Sequence, residues 1–135
     1  MHPNPIFIQP HETLREAARK MKEADCGILP VGSKGALEGI ITDRDIVIRA
    51  IGDGVDPSKE IVASCMSEKT FSCNENDNLT DAAKMMRKNQ VSRLVVKDSK
   101  GNISGILSFG SILRKDEDQE EISRVIATAT GRQAA

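Results

Sequence analysis

The sequence predicts an α/β fold made of two tandem βαββα units, packed sheet to sheet about a pseudo-twofold axis and followed by a C-terminal helix. Three observations carry this expectation. The helical pattern Leu14, Ala17, Ala18 and Met21 returns as Leu79, Ala82, Ala83 and Met86, each residue 65 positions after its counterpart (79 − 14). Each copy is followed by two short apolar runs around a turn, at residues 27–31 and 37–42 in the first and 92–97 and 103–108 in the second. Each copy then closes on a polar pair three residues apart, Thr42-x-x-Asp45 and Ser108-x-x-Ser111, just ahead of a new amphipathic run. A unit of this size is too small to bury its own hydrophobic face, so two must share the burial.

Taken in order, residues 5–9 (PIFIQ) read as a short strand after a proline-punctuated start. Thr13-x-x-Glu16 has the spacing of a capping box and opens the first helix, whose apolar positions recur at i, i+3, i+4 and i+7. The two apolar runs that follow, joined at Gly32-Ser33-Lys34-Gly35, predict a hairpin. A helix from Asp43 ends at Gly52. Asp56-Pro57 is a helix start, with a short helix expected through Ile61, Val62 and Cys65, and residues 70–73 are a strand candidate. Asn78-x-x-Asp81 caps the helix of the second copy, which carries one extra residue before Ser108. The acidic run from Asp116 leads into Ile122, Val125, Ile126 and Ala129 at helical spacing. The expected boundaries are 5–53 for repeat 1, 54–69 for a linker, 70–115 for repeat 2 and 116–135 for the acidic segment and C-terminal helix.

Composition narrows the function classes. A net charge of −1 removes the general attraction on which duplex nucleic acid binding relies. With three Phe and neither Trp nor Tyr, no aromatic platform exists for stacking successive bases. No window approaches the roughly 18 consecutive apolar residues of a membrane span, and the expected location is the cytoplasm. Cys26, Cys65 and Cys73 show no CxxC spacing and the histidines are only His2 and His11, so a metal centre is not expected. Free buried thiols are the expectation, although a bridge between Cys65 and Cys73 is compatible with their spacing.

Thr42-x-x-Asp45 admits two readings. It is a capping box, which needs no ligand. It also places two oxygen-bearing side chains beside the unpaired N–H groups of a helix start, where a phosphorylated or sugar-bearing ligand could settle.

The duplicated pattern, with Gly39-Ile40-Ile41-Thr42-Asp43-Arg44-Asp45-Ile46 closing one copy and Gly105-Ile106-Leu107-Ser108-Phe109-Gly110-Ser111-Ile112 the other, resembles a tandem pair of cystathionine beta-synthase (CBS) domains. The resemblance covers about residues 5–115 and is to small stand-alone bacterial and archaeal members. It implies a regulatory, non-enzymatic module that binds AMP, ADP, ATP or S-adenosylmethionine in clefts between the copies, pairs into homodimers and signals to a protein partner. Carried over by residue, it implies that Asp45 holds the ribose hydroxyls, that Thr42 lies at the phosphate end and that Arg93 contacts phosphate. Arg44 is either a helper or a solvated surface residue, and Ser108 stands where Thr42 does in the other copy. Ser111 in place of a second Asp implies one complete site, hence about one nucleotide per chain, with no other cofactor. The alternatives are a ligand-free dimerisation scaffold, an enzyme, for which no nucleophile and base pair is visible, and a nucleic acid binder using Lys84, Arg87 and Lys88.

Overall fold

A computed structural model describes residues 5–118. The chain divides into two compact units, one spanning residues 6–70 and the other beginning at Phe71.

In the first unit, Ile8 makes a single parallel bridge to Val31. Its N–H donates to the Pro30 carbonyl at 3.1 Å, and its own carbonyl accepts from Gly32 N at 2.9 Å. The strand expected over 5–9 is thus reduced to one bridge. Pro5 and Pro10 flank it, and proline has no N–H with which to extend a ladder. Helix α1 (Leu14–Ala24) starts where Thr13 Oγ1 accepts from Glu16 N at 3.2 Å. It buries Leu14, Ala17, Met21 and Ala24 and ends at Asp25 in the left-handed region, with φ 54°. There Asp25 N donates to Lys22 O and Cys26 N to Met21 O, so the last carbonyls are not left unpaired.

Strands β1 (Ile28–Ser33) and β2 (Ala36–Thr42) form the predicted hairpin, antiparallel with Ile28 opposite Thr42 and a bulge at Val31/Gly32. β2 runs into the short helix α2 (Asp43–Asp45), which widens into a π-helical turn over Ile46–Ile51. Gly52 N reaches back five residues to Val47 O at 2.8 Å. Ile46, Val47 and Ile48 are consecutive β-branched residues, a type with reduced preference for a regular α-helix.

Residues 56–67 then fold back along the unit. The helix expected from Asp56 forms only a turn followed by a 3-10 helix at Val62–Ser64. Its backbone groups are drawn outward instead: Leu14 N donates to Glu60 O at 3.0 Å and Val62 N to Glu12 O at 2.8 Å. Ser67 exchanges two hydrogen bonds with Ile40, at 2.9 and 2.8 Å. This approach requires Gly39, because a Cβ there would lie 2.6 Å from the Ser67 carbonyl oxygen.

In the second unit β3 (Ser72–Asn74) lies parallel to β4 (Arg93–Lys97), which lies antiparallel to β5 (Ile103–Ser108). Helix α3 (Leu79–Asn89) starts on the Asn78 side chain, which accepts from Asp81 N at 2.8 Å, and ends at Gln90 with φ 56°. Gln90 N donates to Arg87 O and Val91 N to Met86 O, the same closure as in α1. Helix α4 (Phe109–Asp118) is regular and runs past the expected boundary at 115, carrying the first acidic residues with it. The amphipathic pattern at Ile122, Val125 and Ile126 lies outside the described residues.

The two cores match position by position. Ile8, Leu14, Met21, Leu29 and Val31 are buried in the first unit, and Cys73, Leu79, Met86, Leu94 and Val96 take their places in the second. Burying each of the larger of these side chains contributes about 1.5–3 kcal/mol, which is where most of the units' stability lies.

Candidate functional site

The end of β2 brings Thr42, Arg44 and Asp45 to one helix start. Thr42 Oγ1 accepts from Asp45 N at 3.0 Å, and Asp45 Oδ2 accepts from Thr42 N at 2.9 Å. This is a complete capping box. The Asp45 side chain is largely buried, at 15% exposure, with Oδ1 facing Arg49 Nε at 3.8 Å. Arg49, one turn on, also donates through Nη1 to the Cys65 carbonyl at 3.1 Å. Arg44 is exposed, and its backbone N–H donates to Asp43 Oδ1 at 2.8 Å. Asp43 N donates to the Gly27 carbonyl at 2.9 Å, and the Asp43 carboxylate covers Gly27 so closely that a Cβ there would lie 2.7 Å from Oδ2.

The second unit repeats this plan with neutral groups. Ser108 Oγ accepts from Ser111 N at 3.2 Å and shares a hydrogen bond with Ser111 Oγ at 2.8 Å. Phe109 N donates to the Ser92 carbonyl at 2.8 Å, as Asp43 does to Gly27. Arg93 sits directly opposite Ser108 in the β4–β5 ladder. It is half-buried, its Nη1 donates to Ser92 Oγ at 3.4 Å, and its Nε is buried with no hydrogen-bond partner among the described residues. A guanidinium so placed has donor capacity to offer an anion.

The thiols are structural. All three cysteines are buried and free, so Cys65 and Cys73 are not bridged. Burial, reinforced by Asp77, pushes the Cys73 thiol up to about 12, and burial followed by Glu60 pushes Cys65 up as well. Among the described residues no group of three or more His, Cys, Asp and Glu is placed to hold a metal ion.

Two features went unread in the sequence. Arg49 stands four residues after Asp45, a legible spacing for an ion pair, but its second contact to Cys65 depends on the fold-back of residues 56–67. The other is a cavity of about 380 Å³ between α1 and the π turn, walled by Ala18, Met21, Cys26, Ile46, Val47 and Ile51. It shares Asp43 with the helix start but not Thr42 or Asp45.

Two units with the same core positions, the same helix closures and the same capped strand-to-helix junction define a tandem repeat protein of a single domain type. The chain belongs to the CBS domain family, whose model matches residues 1–52 and 59–118. It is 37% identical over 105 residues to the CBS domain-containing protein YhcV of Bacillus subtilis, covering 78% of this chain and 74% of that one. Among solved structures it is similar to Hypoxic Response Protein I with two coordinated zinc ions, at 30% identity and a TM-score of 0.68, covering 84% of this chain and 92% of that one. It is also similar to the CBS domain pair of protein MJ0100 in complex with 5′-methylthioadenosine and S-adenosyl-L-methionine, at 25% identity and a TM-score of 0.72, covering 84% and 89%. No helix among the described residues is long and apolar enough to cross a membrane.

Proposed function

We propose that this protein is a regulatory, ligand-sensing module that binds an adenosine nucleotide or derivative and passes its occupancy to a protein partner. The observation that carries the reading is the Asp45 carboxylate, held in place by Thr42 at a strand-to-helix junction yet still partly open to solvent. A carboxylate can accept from both hydroxyls of a ribose, and each charge-assisted hydrogen bond is worth about 1.5–3 kcal/mol. Thr42 is assigned to the phosphate end of the ligand and Arg44 a helping role. Arg93 and Ser108 are proposed as the phosphate-contacting groups of the second unit. The adenosine compounds held by the MJ0100 pair support the choice of ligand class. With Ser111 in place of a second carboxylate, we assign about one nucleotide to each chain, and no turnover of it.

A second reading has its own support. The capping box already engages Thr42 and Asp45 with each other, so the junction is satisfied without any ligand. Val47, Ile48 and Ile51 are large apolar side chains more than half exposed on the same helix, a face that a second copy of the chain would cover. We take a homodimer as part of the proposal, and dimerisation alone is then the scaffold alternative.

Thermal unfolding separates the two. The purified protein would be melted with AMP, ADP, ATP, NADH and S-adenosylmethionine, with cytidine and guanosine nucleotides as controls. A ligand held only by the native state adds about 2.7 kcal/mol at a hundredfold excess over Kd. A shift with an adenosine compound and none with the controls is expected. No shift with any of them moves the assignment to the scaffold.

A further inference from the structure

Asp45 does not stand alone at the helix start. Its Oδ1 faces the Arg49 guanidinium at 3.8 Å, while the same guanidinium donates through Nη1 to the Cys65 carbonyl at 3.1 Å. Cys65 follows the 3-10 helix Val62–Ser64, and Cys65 N and Met66 N both donate back to Val62 O at 2.9 Å. Two residues after Cys65, Ser67 exchanges its pair of hydrogen bonds with Ile40, in the strand that ends at Thr42. One side chain therefore ties the candidate ribose carboxylate to the segment that carries the chain onward toward Phe71. The tie runs through the Arg49 side chain alone, by an ion pair at one end and a hydrogen bond at the other.

We propose that Arg49 is the positioning residue that couples ligand occupancy at Asp45 to residues 62–67. The inference rests on the adenosine-binding reading and names the regulation of that same site. When ribose hydroxyls donate to Asp45, they compete with Arg49 for Oδ1, and the guanidinium's hold on the Cys65 carbonyl changes with it. An arginine suits this role because its planar fork presents Nε to one acceptor and Nη1 to another at fixed angles, where a lysine offers one point charge. By linkage, whatever the ligand does to the segment, the segment does to the ligand's affinity.

The test is backbone hydrogen exchange with the adenosine compound selected by the melting screen, in wild type, Arg49→Gln and Arg49→Lys, each at saturating ligand. In wild type, exchange at the amides of Cys65, Met66 and Ser67 changes on ligand binding. In Arg49→Gln the protein still saturates, but that ligand-dependent change shrinks at least threefold. Arg49→Lys, which keeps the charge and loses the fork, also shows the reduced response, and it stands in for Arg49→Gln if that variant does not fold. A purely structural Arg49 would leave the ligand-dependent change intact while altering exchange equally with and without ligand, and that result overturns the proposal. If wild type binds an adenosine compound but the segment does not respond, the coupling falls and the binding reading stands. If wild type binds none, both fall together at the first titration.

Discussion

Asp45 carries one carboxylate for the helix cap and for the proposed ribose contact, and the two can be separated by substitution. Asp45→Ala removes a helix-capping acceptor, which by itself costs about 0.5–2 kcal/mol of stability, together with the proposed ribose contact. Asp45→Asn keeps an oxygen for the Thr42 N–H and loses the charge. We expect the Asn variant to melt near wild type while binding adenosine nucleotide at least tenfold more weakly, a loss of about 1.4 kcal/mol by titration calorimetry. Affinity unchanged in both variants would remove Asp45 from the site. Cys73 offers a second residue-scale test through pH. Its thiol holds its proton up to about 12 in the folded protein against an ordinary value of 9.0, because burial disfavours the thiolate. The folded state thus binds the proton more tightly than the unfolded chain does. This contribution is fully present below pH 9 and is lost as pH rises from there toward 12. Denaturant midpoints measured from pH 8 to 11 should fall for wild type and fall less steeply for Cys73→Ala, and equal slopes would contradict the burial argument.

Individual elements differ in how openly the sequence announces them. α1 and α3 are legible because a cap residue, a 3.6-residue apolar period and a basic last turn agree at each end. The hairpin is legible because a Gly-containing turn separates two apolar runs. The strand at 5–9 is announced more strongly than it forms: Ile6, Phe7 and Ile8 read as a strand, and between the two prolines only the bridge at Ile8 is made. The π turn escapes for another reason: Ile46 and Ala50 are four apart and buried together, a spacing an ordinary α-helix would share. At the site, Thr42 and Asp45 show themselves as a spacing, whereas the partners of Arg49 and Gly39 lie in a segment whose path no local pattern encodes. Gly39 makes the element-scale prediction. Gly39→Ala would drive its methyl into the Ser67 carbonyl oxygen and toward Met66 Sδ, which lies 3.2 Å from the same point. Backbone cannot step aside as a side-chain tip can, so we expect a loss of about 1–3 kcal/mol in chemical denaturation, the usual range for overpacking. An unchanged midpoint would mean that residues 66–67 are not held against β2 as described.

On the scale of the whole molecule, duplication supplies two cores on one plan, while the sheets and the side chains at the junctions differ. The first copy carries Thr42, Asp45 and the π turn, while the second carries a serine pair and a regular α4. The proposed homodimer is tested by sedimentation of wild type and Ile48→Glu. Ile48 is 56% exposed and does not line the described cavity, so a buried glutamate at a dimer contact would shift the protein toward monomer at micromolar concentration. A dimer that survives the change places the contact elsewhere. The twin helix closures have a further consequence, which concerns engineering. Asp25 and Gln90 each hold a left-handed backbone that costs an L-residue about 1–2 kcal/mol and that glycine adopts freely, offset by glycine's greater freedom in the unfolded chain. Asp25→Gly and Gln90→Gly should each add up to about 1 kcal/mol, and the double variant should show their sum in thermal denaturation. A designer wanting a sturdier scaffold from this chain would begin at two matched positions where the duplicated sequence has left stability unused.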